Sequence, residues 1–181
     1  MVRHPLRILV ATLAAILVQA GNARAVVVAE MSEETLAATA ELIVQGRVSA
    51  MRSRAGTGVY WAETDVTLSD LRVVAGEHRR DALVVTVAGG RRGDRVQVVA
   101  GAPRFAVGCR YLAFLVRNGD RWVVQGWAQG LFRLEADPGG NDPVATRALE
   151  GLTVAGGRSV SDRPRRLGEL VRMIGRVRGR P

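Results

Sequence analysis

The chain has 181 residues and a formal net charge of +9, from 26 basic residues, all of them arginine, against 17 acidic ones. A single cysteine excludes an internal disulfide framework, and with two histidines it leaves too few soft ligands for a zinc or iron centre. The charge is uneven: residues 26–157 carry 15 Arg and 15 Asp plus Glu, while residues 158–181 carry eight Arg against Asp162 and Glu169, a net of +6. Arginine without lysine, beside abundant Ala, Val and Gly, reads as codon bias, so basic charge by itself does not point to nucleic acid.

The N-terminus reads as an export signal. Arg3 and Arg7 precede an apolar run from Ile8 to Ala20, and Ala23-Arg24-Ala25 places small residues at −3 and −1. This pattern predicts a secretory signal peptide over residues 1–25, cut after Ala25, and a periplasmic or secreted product. The apolar run is shorter than the roughly 20 residues of a membrane span. No cysteine sits at the cleavage site to take a lipid, and no Arg-Arg pair precedes the apolar run as the twin-arginine route requires. The remainder divides into a β domain over residues 26–157 and a basic helix and tail over residues 158–181.

Met31-Ser32-Glu33-Glu34 opens a short helix running to about Glu41, with Ser32 as cap, two acids in the first turn and Met31 able to staple onto Leu36. "LIVQGRVSAMRSR" follows as a strand bent at Gly46. In "VYWAETDVTLSDLRVV" alternation puts Tyr60, Ala62, Thr64, Val66 and Leu68 on one face and Trp61, Glu63, Asp65 and Thr67 on the other. "ALVVTVAGG" and "DRVQVVAG" are two shorter strands around the turn "GGRRG". Arg92-Gly93-Asp94 spells an adhesion tripeptide, but its composition is what a hairpin tip requires.

Asn118-Gly119 is a hairpin turn that sets Arg117 opposite Asp120, Leu115 opposite Trp122 and Ala113 opposite Val124. Period two then places Cys109 with Tyr111, Ala113 and Leu115 on the apolar side, as a buried free thiol acting as a small hydrophobe. The other face, with Arg110, Phe114 and Val116, is mixed. "GLFRLEA" reads as a further strand and "DPGGNDP" as loop.

The last segment is helical, with Leu167, Leu170, Val171, Ile174 and Val177 on one stripe and Arg165, Arg166, Arg172 and Arg176 off it. The stripe is moderate and interrupted by Gly168 and Gly175, so it reads as docked on the domain, with peripheral contact to an anionic membrane as the alternative. His78 lies in the charged loop "GEHRRD" and has no second imidazole to work with. Glu63 and Asp65 share a strand face, an outward one screened by arginines. Trp61 lies on the polar face beside Glu63, where acidic neighbours argue against a phosphate backbone. No G-x-S-x-G elbow or phosphate-loop pattern occurs.

"AELIVQGRV" (residues 40–48), a long second strand ending "LRVVAG", and the later "RFAVGCRYLAFL" and "VVQGWAQGLFRL" resemble bacterial exported domains with a netrin/TIMP-like OB barrel, over about residues 30–135. The resemblance implies a five- or six-stranded antiparallel barrel with a short helix before it and a helix after it; an antiparallel β-sandwich is the alternative. TIMP-type inhibitors begin with a Cys-x-Cys element, and the chain after Ala25 begins Val26-Val27-Val28, so their zinc-chelating mechanism has no residues here. The expected function is an exported, non-catalytic binding or accessory module of the cell envelope, with no cofactor and no metal. It would engage a protein or an anionic surface through Arg165, Arg166, Arg172, Arg176 and Trp61. Modulation of a secreted hydrolase is the alternative.

Overall fold

A computed structural model describes residues 27–149, 153–154 and 163–179. The predicted signal peptide and the segment 155–162 lie outside the described residues. Among the described residues, twelve strands and two α-helices follow in chain order, with a 3-10 turn at Trp127–Gly130 between β8 and β9: β1 (Val27–Val28), α1 (Glu33–Thr39), β2 (Leu42–Ala55), β3 (Ala62–Ala75), β4 (Leu83–Ala88), β5 (Gly90–Arg92), β6 (Arg95–Gln97), β7 (Arg110–Asn118), β8 (Arg121–Val124), β9 (Leu131–Glu135), β10 (Val144–Arg147), β11 (Thr153–Val154), β12 (Arg165–Arg166) and α2 (Leu167–Val177). The protein is mainly β, with a short helix towards each end.

Eight strands form one sheet in the order β12-β10-β9-β7-β2-β3-β4-β8, and β8 returns to pair with β7, so that β7-β2-β3-β4-β8 closes partly into a ring. Most pairings are antiparallel, but β4 meets β8 in parallel at Val85 and Trp122, and β1 pairs with β11 in parallel. The all-antiparallel sheet expected from the sequence is therefore mixed. The parallel contact arises because the chain crosses from β4 to β7 and returns along β8 before the ring can close.

β2 bends as its glycine predicts. Its register with β3 shifts between Gln45 and Arg47, and Gly46 faces Tyr111 of β7. A Cβ at residue 46 would lie 2.9 Å from Leu71 Cδ2 and 3.2 Å from Leu68 Cβ, so a larger residue would press on β3 and the glycine eases the close approach of the two strands. The alternation in β3 holds as well: Ala62, Thr64, Val66 and Leu68 are buried, and Glu63, Asp65 and Thr67 are half-buried on the other side.

Two apolar cores result. Val44, Val66, Leu68, Val85, Tyr111 and Leu115 fill the ring. Outside it, Ile43, Phe114 and Phe132 pack beneath Leu36 of α1 and Leu170 and Ile174 of α2. Strand β7 serves both, with Tyr111 to Leu115 all buried, which corrects the expectation that its Phe114 face is mixed surface. A strand covered on both sides has no alternation to read.

Helix α1 is capped by Ser32, whose Oγ accepts from Thr35 N at 3.1 Å. The chain before it is held by the fully buried Gln129, which accepts from Met31 N at 2.8 Å and donates to the Ala29 carbonyl at 2.9 Å. The β7–β8 turn occupies Gly119-Asp120, so Arg117 faces Trp122 and Leu115 faces Val124, two residues from the predicted register. Gly119 takes a left-handed φ of 63° at the first loop position, where a type II′ hairpin places glycine. A slip of two keeps every side chain on its predicted face. Cys109 packs against the inner core but is half-buried, more open than predicted.

Candidate functional site

The tail helix is docked. Leu167, Leu170, Met173 and Ile174 are buried in the outer core, Val171 packs against it, and Val177 lies at the exposed margin. Arg165 and Arg166 precede the helix as β12 and pair with β10, which corrects their placement on the helix. Both are engaged within the molecule: Arg165 bridges Glu33 at 3.1 Å and Glu169 at 3.4 Å, and Arg166 binds Asp137. The hydrogen bond and charge of Arg166 hold the Asp137 carboxyl below its usual range. Arg178 Nε donates to the Ala37 carbonyl at 2.6 Å and its Nη2 to that of Ala40, closing the C-terminal end of α1. Arg172 and Arg176 are exposed and make no ion pair with a described residue.

Trp61 is 43% exposed, as its position on the polar face predicts. Its surroundings are not those expected. The β5–β6 hairpin folds back over the β2–β3 ribbon, fixed by Arg91 N donating to Ser53 Oγ at 3.1 Å and Ala62 N donating to Gln97 Oε1 at 3.0 Å. At Gly90 a Cβ would come within 2.5 Å of Thr64 Oγ1 and 2.6 Å of Ser53 Oγ, so glycine permits the crossing. The result is a shallow groove of about 540 Å³ lined by Ser53, Trp61, Arg91, Arg92, Gly93 and Arg95. The neighbourhood of Trp61 is basic, which corrects the acidic setting inferred from Glu63. Glu63 is instead gripped by Arg54 at 2.6 Å and Arg121 at 2.8 Å.

Within the hairpin Arg92 stands directly opposite Arg95, and Arg91 opposite Val96. The predicted turn "GGRRG" is thus part strand, with its two-residue loop at Gly93-Asp94. Like charges facing one another across a ladder destabilise it. Arg91, Arg92 and Arg95 are all exposed and form no ion pair with any described residue. Of the nine exposed large hydrophobic residues among the described residues, Met51, Val59, Trp61, Val96 and Val98 lie at this end of the molecule. Val59, at the β2–β3 turn, is 95% exposed.

The site residues expected from the sequence therefore fall in two places. Trp61 precedes the first residue of β3, whereas α2 packs near Val74 and Ala75 at its last. Fourteen residues of strand separate them, about 45 Å measured along the chain at roughly 3.3 Å per residue.

A hollow of about 990 Å³ runs beside the β4–β8 contact and includes Arg54, Asp65, Arg121, Trp122 and His78. Arg54, Asp65, Arg117 and Arg121 are engaged within the molecule, whereas Glu77, Arg79 and Arg80, which also line it, form no ion pair with a described residue. Arg54 Nε donates to Asp65 at 2.7 Å, Thr86 donates to the same carboxylate at 3.0 Å, and Arg117 lies 4.0 Å above the Trp122 ring while donating to the Asp120 carbonyl. Burial acts to raise the pKa of Asp65, but the bonds from Arg54 and Thr86 and the charges of Arg54 and Arg121 outweigh it and lower it. The Glu63–Asp65 pair is thus ion-paired structure, as an arginine-screened outer face implies. His78 Nε2 lies 3.1 Å from the Ala82 carbonyl.

Among the described residues no group of three or more His, Cys, Asp or Glu is placed to hold a metal ion, and no helix is long and apolar enough to cross a membrane. No protein-family model matches the chain, and comparison with curated proteins and with solved structures finds no match.

Proposed function

We propose that the protein is an exported, non-catalytic binding module that engages an anionic partner of the cell envelope through the β5–β6 hairpin and Trp61. The observation that carries this reading is the opposition of Arg92 and Arg95 beside an exposed tryptophan. Two guanidinium groups facing each other without a carboxylate partner among the described residues repel in the free protein, and an anion bridging them relieves that repulsion. An indole at the rim adds contact area and stacking to a site that charge alone would leave unselective.

The fold reading that accompanies it is OB-like. Support comes from the ring order β2-β3-β4-β8-β7, from a first strand bent at Gly46, and from the parallel contact of the third and fifth ring strands. The netrin/TIMP-like resemblance is consistent with this architecture and carries no inhibitory chemistry with it.

Retention on a sulfated polyanion matrix over a salt gradient tests the function. Arg91→Ala/Arg92→Ala and Arg172→Ala/Arg176→Ala remove the same charge from two different places. Earlier elution of the hairpin variant alone is expected. Equal shifts, or a shift confined to the tail variant, would remove the hairpin from consideration.

A further inference from the structure

We infer that the anionic partner is a phospholipid leaflet, on which the hairpin end of the molecule docks with Trp61 and Val59 entering the headgroup region. The inference rests on the anion-binding reading above and adds what the anion is attached to. A hydrated soluble polyanion would satisfy Arg91, Arg92 and Arg95 but would give nothing to the apolar side chains around them. Val59 at the β2–β3 turn, Val96 on the hairpin and Met51 and Val98 beside it are exposed, as is Trp61. Met51 and Val98 also line a common hollow of about 400 Å³ at the mouth of the ring. A leaflet supplies both halves of the complement: phosphates for the guanidinium groups and a hydrocarbon boundary for the valines and the indole.

The placement of the charges fits this geometry. The Gly90–Gln97 hairpin carries three arginines against Asp94, a net of +2. Its two-residue loop and the 56–61 turn project from the same end, with Gly56 N closing the second turn onto the Trp61 carbonyl at 3.0 Å. The alternative membrane contact, the tail helix, has already buried its apolar stripe against the outer core. Binding strength at a leaflet scales with buried apolar area plus attraction to anionic lipid, and the hairpin end offers both from one rigid scaffold.

The test uses vesicles of phosphatidylcholine containing 30% phosphatidylglycerol (about that fraction suffices), vesicles of phosphatidylcholine alone, and a soluble sulfated polysaccharide. The purified protein is expected to sediment with the anionic vesicles and not with the neutral ones. Each guanidinium removed from Arg91, Arg92 or Arg95 should weaken binding by about fivefold. Val59→Ser, which leaves charge unchanged, should weaken it about fivefold or more. Lipids brominated on the acyl chain should quench tryptophan emission in the wild type and much less in Trp61→Phe. Binding to the polysaccharide without vesicle binding would overturn the lipid assignment and leave the anion-binding reading standing. Vesicle binding insensitive to Val59→Ser and without Trp61 quenching would likewise overturn it, and failure on all three surfaces would remove both.

Discussion

Reversing the charge of Arg95 separates what the hairpin does for the fold from what it does for a ligand. In the β5–β6 ladder Arg95 faces Arg92 directly. Two like charges held about 6 Å apart in water repel by about 0.7 kcal/mol. Arg95→Glu turns that repulsion into an attraction of similar size, so the swing is on the order of 1 kcal/mol, near the upper end of cross-strand pair energies. The hairpin has two three-residue strands held to the ring by Ser53, Thr64 and Gln97, so it opens locally without unfolding the rest. Amide hydrogen exchange across Gly90–Gln97 is the matching assay. Exchange should slow by about fivefold at low salt, and the difference should fade as salt screens the pair. Retention on a polyanion should fall at the same time. A variant more ordered yet weaker in binding is the signature of a residue kept for its ligand at the expense of stability. Faster exchange, or retention equal to wild type, would refute the reasoning.

Three further outcomes follow from the packing and the charges. Leu170 is fully buried in the outer core, so Leu170→Ala should lower unfolding free energy by about 2–5 kcal/mol in one cooperative transition; a separate early transition in chemical denaturation would show that α2 is appended and not integral. Asp65 has a folded pKa below its unfolded value, so its stabilisation is present above the unfolded value of about 3.9 and is lost as pH falls through the lower folded one. Asp65→Asn should accordingly flatten the acid limb of stability below about pH 4, measured by urea midpoints, and an unchanged limb would refute the assignment. Gly90→Ala should displace the hairpin from Ser53 and Thr64 and weaken polyanion retention several-fold without altering net charge; undiminished retention would show that the hairpin's seat on the β2–β3 ribbon is irrelevant to binding.

What the sequence made legible was local. The alternation of Ala62 to Leu68, the cap at Ser32 and the bend at Gly46 are each decided by neighbours in the chain, and each appears as read. The missed features were set from a distance. Strand β7 looks half-exposed in isolation because nothing local announces that α1 and α2 cover its Phe114 face. Helix α2 starts at Leu167 because the carboxylate of Asp142, in a loop 26 residues upstream, accepts from Gly168 N at 2.9 Å and caps it. No residue beside Arg165 or Arg166 signals that start. Trp61 was readable as exposed, but its acidic sequence neighbour is neutralised by Arg54 and Arg121 while arginines some thirty residues downstream fold over it. One signal was available: in "RRGDR" a two-residue loop at Gly93-Asp94 necessarily sets Arg92 against Arg95.

In a chain whose 26 basic residues are all arginine, the presence of a guanidinium group proves nothing and its engagement decides. Arg54, Arg121, Arg165 and Arg166 bind carboxylates and Arg178 binds helix carbonyls; Arg91, Arg92 and Arg95, like Arg172 and Arg176, make no ion pair with a described residue, and Arg92 and Arg95 in addition face one another. Edge protection offers a competing reason, since charges on a short exposed ribbon discourage pairing with other chains. The two explanations part company in Arg92→Glu/Arg95→Glu. This pair keeps like charges opposed and keeps the edge charged, so hairpin order and solubility should match the wild type if edge protection is the whole account. The hairpin's net charge goes from +2 to −2 with the opposed pair kept, a change that a ligand senses directly and that Arg91 and Asp94 sense within the hairpin, where amide exchange reports it. Loss of polyanion and anionic-vesicle binding in a soluble protein with unaltered amide exchange would establish recognition, whereas retained binding would leave edge protection as the reason these arginines stand where they do.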